Sequence, residues 1–136
     1  MERSKKLNAK IELMKKVTKD THHVVHRDIS SIIDEELLDT VKNGQLQKFE
    51  YTLELIWKTL KSFLKEEKGI IVQGSKDTFR EIAPFIELSP DVVSDILKVI
   101  DDRNSLAHEY EEFIMNNIYP KLKSHLDLLI MVVNKI

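Results

Sequence analysis

Leu46-Gln47-Lys48-Phe49-Glu50-Tyr51-Thr52-Leu53-Glu54-Leu55-Ile56-Trp57-Lys58-Thr59-Leu60-Lys61-Ser62-Phe63 is the stretch whose spacing sets the fold class. Its apolar residues Leu46, Phe49, Leu53, Ile56, Leu60 and Phe63 advance by alternating steps of three and four. That period lays a stripe along an α-helix and makes the seam of a bundle. Trp57 and Leu64 widen the stripe. The spacing predicts a helix from Gln45 to Lys68, with Asn43-Gly44 before it and Gly69 after it as terminators.

Helical spacing recurs on both sides. Leu7, Ile11, Met14 and Val17 keep it within a region, Glu2 to Lys42, that holds neither Gly nor Pro. Whether that region is one helix or two stays open; Ser30-Ser31 offers a cap for a second, carrying Ile32, Ile33, Leu37 and Val41. Ile70-Ile71-Val72 is too short for a sheet and is expected to cover one end of the bundle. Ser75 reads as the cap of a short helix that stops near Pro84. Ser89-Pro90 starts a longer helix, expected to reach Asn117. Pro120 opens the last, in which Leu122, Leu126, Leu129, Val133 and Ile136 repeat the seam. The expected architecture is all-α: an up-and-down four-helix bundle with one or two additional short helices, in a single domain over residues 1–136.

Composition agrees. Apolar residues are 42% and charged residues 32% of the chain, ordinary values for a globular protein, and 136 residues are enough to bury a core without staples. Only three Gly and three Pro leave little provision for tight turns. The absence of Cys excludes disulfides, thiolate nucleophiles and cysteine-ligated zinc. The charged start, from Met1 to Lys6, lacks the apolar core of a secretory signal, and the longest fully apolar run, Leu128 to Val133, is too short for a bilayer. A cytoplasmic protein without membrane partners is expected. A net charge of −2 supplies no global attraction to nucleic acid. The charge is uneven, however. Arg3, Lys5, Lys6, Lys10, Lys15, Lys16 and Lys19 make the first helix basic, which reads as a solvated face or a phosphate-steering surface. Asp101, Asp102, Glu109, Glu111 and Glu112 make residues 101–112 acidic.

Chemistry concentrates in that acidic region. At about 100° per residue, Ile96, Val99, Ile100, Ala107, Tyr110 and Ile114 all fall close to the direction of Arg103. A guanidinium aimed into an apolar stripe needs a carboxylate partner, a phosphate or an interface. His108 follows five residues later and is suited to proton transfer near neutral pH. On an unbroken helix Asn104 and His108 share a face. Arg103 and His108 lie roughly 140° apart and converge only through arginine's reach, a kink or a second copy of the helix across a two-fold axis. The plainer readings are an ion-paired Arg103, a structural His108 and a core Tyr110 with its hydroxyl bonded at the edge.

The pattern Arg103-x4-His108-x-Tyr110 resembles the signature of HEPN domains, in particular the HEPN partners of minimal nucleotidyltransferases. The helix from Phe49 to Lys61 is similar to one in the nucleotidyltransferase substrate-binding subgroup, and Asp101-Asp102-Arg103-Asn104 resembles that subgroup's lead into the histidine. The resemblance covers residues 45–130. It implies a homodimer whose paired motifs form one cleft. In toxin members that cleft cleaves RNA without a metal, the 2′-hydroxyl serving as nucleophile. On that reading Arg103 binds phosphate bidentately, and His108 acts as general acid or base, a role usually worth about 10²–10⁴-fold. Asn104 bonds the phosphate or orients His108. Tyr110 is the residue to which a cognate nucleotidyltransferase antitoxin transfers AMP, blocking the cleft. The acidic flank sits awkwardly with RNA. The alternative is therefore a non-catalytic subunit that presents nucleotide or substrate to a partner nucleotidyltransferase.

No cofactor is called for. His22 and His26 are one turn apart, a spacing compatible with zinc, but no third ligand is evident, so no metal site is expected. His125 is expected on the surface of the last helix. Phosphate loops, serine elbows and HExxH motifs are absent from the sequence.

Overall fold

A computed structural model describes residues 3–136. Helix α1 spans Lys5–His26, capped by the Ser4 hydroxyl, which accepts from the Leu7 amide at 3.0 Å. Asp34 caps α2, Glu35–Phe63, accepting from the Leu37 amide at 2.9 Å. Residues 3–42 thus form one helix and the start of a second, whose cap is Asp34 rather than Ser30-Ser31. Ile33 remains outside it, exposed to solvent.

Asn43-Gly44 does not terminate anything: α2 runs straight through it. A glycine in a helix interior costs about 1 kcal/mol, comparable to what a good cap supplies. The Asp34 cap and the acidic first turn, Glu35 and Glu36, offset it. Asn43 bonds back to the Asp39 carbonyl at 3.0 Å and so satisfies itself inside the helix. The far end behaves as expected. After Phe63 the backbone widens into a π turn over Leu64–Lys68 and stops at Gly69, whose left-handed φ of 66° suits glycine.

Helix α3, Ser75–Ile82, is capped by Gly74 one residue before the expected Ser75 and ends in a 3₁₀ turn at Pro84. Helix α4, Pro90–Ser105, starts as expected, with Pro90 in its first turn and the Ser89 hydroxyl accepting from the Val92 amide at 3.2 Å. It ends at Ser105, however, not at Asn117. A short α5, Glu111–Phe113, continues as a π turn to Ile118; a 3₁₀ turn through Pro120 then leads into α6, Leu122–Val133. Ile70–Val72 is an extended connection with Val72 buried, and the described residues contain no strand.

The seam packs as its period requires: Leu46, Phe49, Leu53, Ile56, Leu60 and Phe63 all lie in the core. They meet Leu7, Ile11 and Met14 of α1, Ile96, Val99 and Ile100 of α4, and Leu122, Leu126, Leu129 and Val133 of α6. Helix α1 packs on α2 and α6, and α3 bridges α2 and α4. Buried polar groups are paired, since the Thr21 and Thr52 hydroxyls bond each other at 2.7 Å. Gln45 ties three segments together, donating to the Val24 carbonyl and accepting from the Tyr119 hydroxyl. Burial raises the Tyr119 pKa above its ordinary value.

Candidate functional site

The apolar stripe of α4 holds through Ile96, Val99 and Ile100 and then meets the helix end. The Ser105 hydroxyl bonds back to the Asp101 carbonyl at 3.1 Å. The amides of Leu106, Ala107 and His108 then bond only three residues back, to Arg103, Asn104 and Ser105. Tyr110 adopts an extended conformation and begins the next helix, with Glu111 and Glu112 in its first turn. Carboxylates at a helix N-terminus are favourable. The sequence therefore carried a signal for this break: the acidic run that reads as an awkward flank is in part the start of α5.

The break overturns two of the plainer readings. Tyr110 is not a core residue but 71% exposed, and His108 is exposed on the turn, its ring bonded to nothing among the described residues. Because the helix ends between Arg103 and His108, the angular argument for one continuous helix no longer applies to the pair.

Arg103, by contrast, points back toward α2. Its guanidinium lies 3.9 Å from a carboxylate oxygen of Glu54, and its side chain is 31% exposed. This is an ion pair, as the plainer reading allows. At that distance and exposure it belongs to the class worth about 0–1 kcal/mol, not to the locked buried kind. Glu54 is held more firmly by others. Its carboxylate accepts from the Trp57 indole at 2.9 Å and pairs with Lys58 at 3.0 Å. The Trp57 hydrogen bond, with smaller help from Lys58 and Arg103, lowers the Glu54 pKa and keeps it charged. Arg103 and Asn104 thus open into a cleft of about 160 Å³, walled by Glu54 and Trp57 on one side and Ser75 at the start of α3. His108 and Tyr110 are not among its lining residues.

A group missed by sequence reasoning holds this site in place. His125 is buried, not on the surface; its Nε2 donates to Asp102 at 2.7 Å and its ring stacks on Phe49 at 5.8 Å between centroids. Lys121 pairs with the same Asp102 oxygen at 2.8 Å. Asp101, in turn, pairs with Lys76 at 2.6 Å. Two of the five acidic residues are therefore neutralised by partners that are remote in sequence, one of them tying α4 to α6 immediately beside Arg103.

A family model described as nucleotidyltransferase substrate binding protein like matches residues 3–134. The chain belongs to that family. Its helix from Phe49 to Lys61 and its Asp102-Arg103-Asn104 stretch, far apart in sequence, meet at the cleft just described. The crystal structure of a protein from Thermus thermophilus has the same fold, with a TM-score of 0.71 over 89% of this chain and 95% of that one at 22% identity. Among curated proteins, none matches the sequence. No helix of the described residues is long and apolar enough to cross a membrane.

Proposed function

We propose that this member of the family is a non-catalytic subunit that holds a phosphate-bearing substrate for a partner nucleotidyltransferase. The observation that carries it is the Arg103–Asn104 cleft. A cation only loosely held by Glu54, a neighbouring amide and an aromatic residue, Trp57, in the wall together suit an anionic, base-bearing ligand. A volume of about 160 Å³ takes a phosphate group but falls short of the roughly 300–1,000 Å³ that enclose a whole small ligand. The remainder of the pocket belongs to a partner surface, either the nucleotidyltransferase or a second copy of this chain.

The test is calorimetric titration of nucleoside triphosphates into the protein, alone and with its nucleotidyltransferase. Binding in the complex that falls at least about tenfold on Arg103→Ala, with no RNA cleavage in EDTA, is the expected result.

The ribonuclease-toxin reading rests on a different observation: His108 and Tyr110 are both exposed on one turn, free to meet a second copy or to accept AMP. Among the described residues of one chain nothing orients the His108 ring, so this reading requires a homodimer. Metal-independent RNA cleavage lost on His108→Ala, or Tyr110 gaining the mass of AMP when incubated with partner and ATP, would establish it and displace the binding-subunit reading.

A further inference from the structure

His22 and His26 acquire in the fold the third ligand that their spacing lacks. Asp127, on α6, brings one carboxylate oxygen to 2.7 Å from His22 Nε2 and 3.1 Å from His26 Nε2. The three candidate ligand atoms all lie within 4.8 Å of one another. The two imidazoles stack with centroids 4.1 Å apart.

Hydrogen-bond chemistry makes this arrangement unusual. His26 Nδ1 lies 2.8 Å from the His22 carbonyl, which can only accept, so Nδ1 carries the proton. The Nε2 of a neutral His26 then presents a lone pair to a carboxylate oxygen, two acceptors face to face. A positive charge is needed between them. A second proton on His26 could supply it, leaving one imidazolium stacked at 4.1 Å on a neutral His22 that donates from Nε2. A divalent cation supplies the charge with both rings neutral. The bond from His26 Nδ1 to a backbone carbonyl is also the outer-shell contact that metal-ligating histidines characteristically make.

We propose that His22, His26 and Asp127 form a zinc-type divalent metal site that clasps the last turn of α1 to α6. Bonds of about 2.0–2.1 Å in a tetrahedron place ligand atoms about 3.3 Å apart, so the 2.7 and 3.1 Å histidine–aspartate separations need open by about 0.6 and 0.2 Å. The Asp127 side chain, 61% exposed, is free to make that adjustment. Three protein ligands leave at least one position for water or an incoming group. This site is independent of the Arg103 cleft, and its failure would leave the proposed function standing.

The decisive experiment titrates ZnCl₂ into untagged, metal-stripped full-length protein by calorimetry, followed by nitrogen NMR of the histidine rings. One site per chain is expected, with Nε2 of His22 and His26 shifting together while His26 Nδ1 stays protonated. Asp127→Asn and His26→Gln each weaken binding at least about tenfold, whereas His23→Gln, a neighbour on the same helix outside the cluster, changes nothing. Zinc in excess also raises the melting temperature of the wild type and not of Asp127→Asn. No saturable binding below about 100 μM, binding that survives both substitutions, or a doubly protonated His26 whose signals zinc leaves unmoved would each overturn the proposal.

Discussion

Two histidine–aspartate contacts of the same length, 2.7 Å, both involve α6 and do different work. In the first, His125 and Asp102 have side chains only 10% and 17% exposed, and Phe49 and Lys121 complete their surroundings. In the second, His22 and Asp127 are 31% and 61% exposed, and a second histidine crowds the same oxygen. Burial with complete pairing makes the first a fixed joint between α4 and α6. Exposure, with two histidines sharing one carboxylate oxygen, is what leaves the second open to the ion proposed above. An identical distance therefore says little until the surroundings are counted.

The comparison breaks most sharply at Asp102. Asp102→Ala leaves His125 buried beside Phe49 without its acceptor, and should destabilise the fold by about 1–3 kcal/mol in urea unfolding. It should also weaken ligand binding at Arg103, because the helix end loses its tie to α6. A cost within about 0.5 kcal/mol would show that the joint is not one. A smaller effect is expected at Glu54, the partly exposed carboxylate that faces Arg103. Its folded pKa is lowered, first by the Trp57 hydrogen bond. Its contribution is therefore present above the ordinary glutamate pKa and lost as pH falls through the lowered one. Glu54→Gln should flatten the acid limb of stability against pH and leave the neutral plateau within about 1 kcal/mol. Without metal, Asp127→Asn should change stability least, by no more than about 0.5 kcal/mol, since it touches only partly exposed partners. If that substitution costs as much as Asp102→Ala, exposure is not what separates the two contacts. Arg103→Ala provides the remaining control: little change in stability, given its 3.9 Å contact, against a clear loss of binding.

Legibility followed the range of the forces involved. The seam from Leu46 to Phe63 was readable because burial on one helix face imposes a period on residues close in sequence. The Ser89-Pro90 start and the Gly69 stop were readable because backbone geometry acts within a turn. The continuation of α2 through Gly44 was not, since a glycine's cost is small enough for a cap about ten residues upstream to offset it. The break after Ser105 was half-legible: Glu111 and Glu112 marked a helix start, yet without Gly or Pro nothing marked the preceding stop. His22 and His26 were visible as a pair and Arg103 as a misplaced cation, but their partners were not.

Local rules alone, periodicity and the backbone chemistry of capping, determined that this chain is a helical bundle and that Arg103 is a cation in need of company. Which carboxylate answers which base was decided only when the helices came together. Glu54 reaches Arg103 across 49 positions, Asp102 reaches His125 across 23, and Asp127 reaches His22 across 105. Ion pairing and ligand geometry depend on separation in space, and sequence spacing carries that separation only within a few turns of one helix.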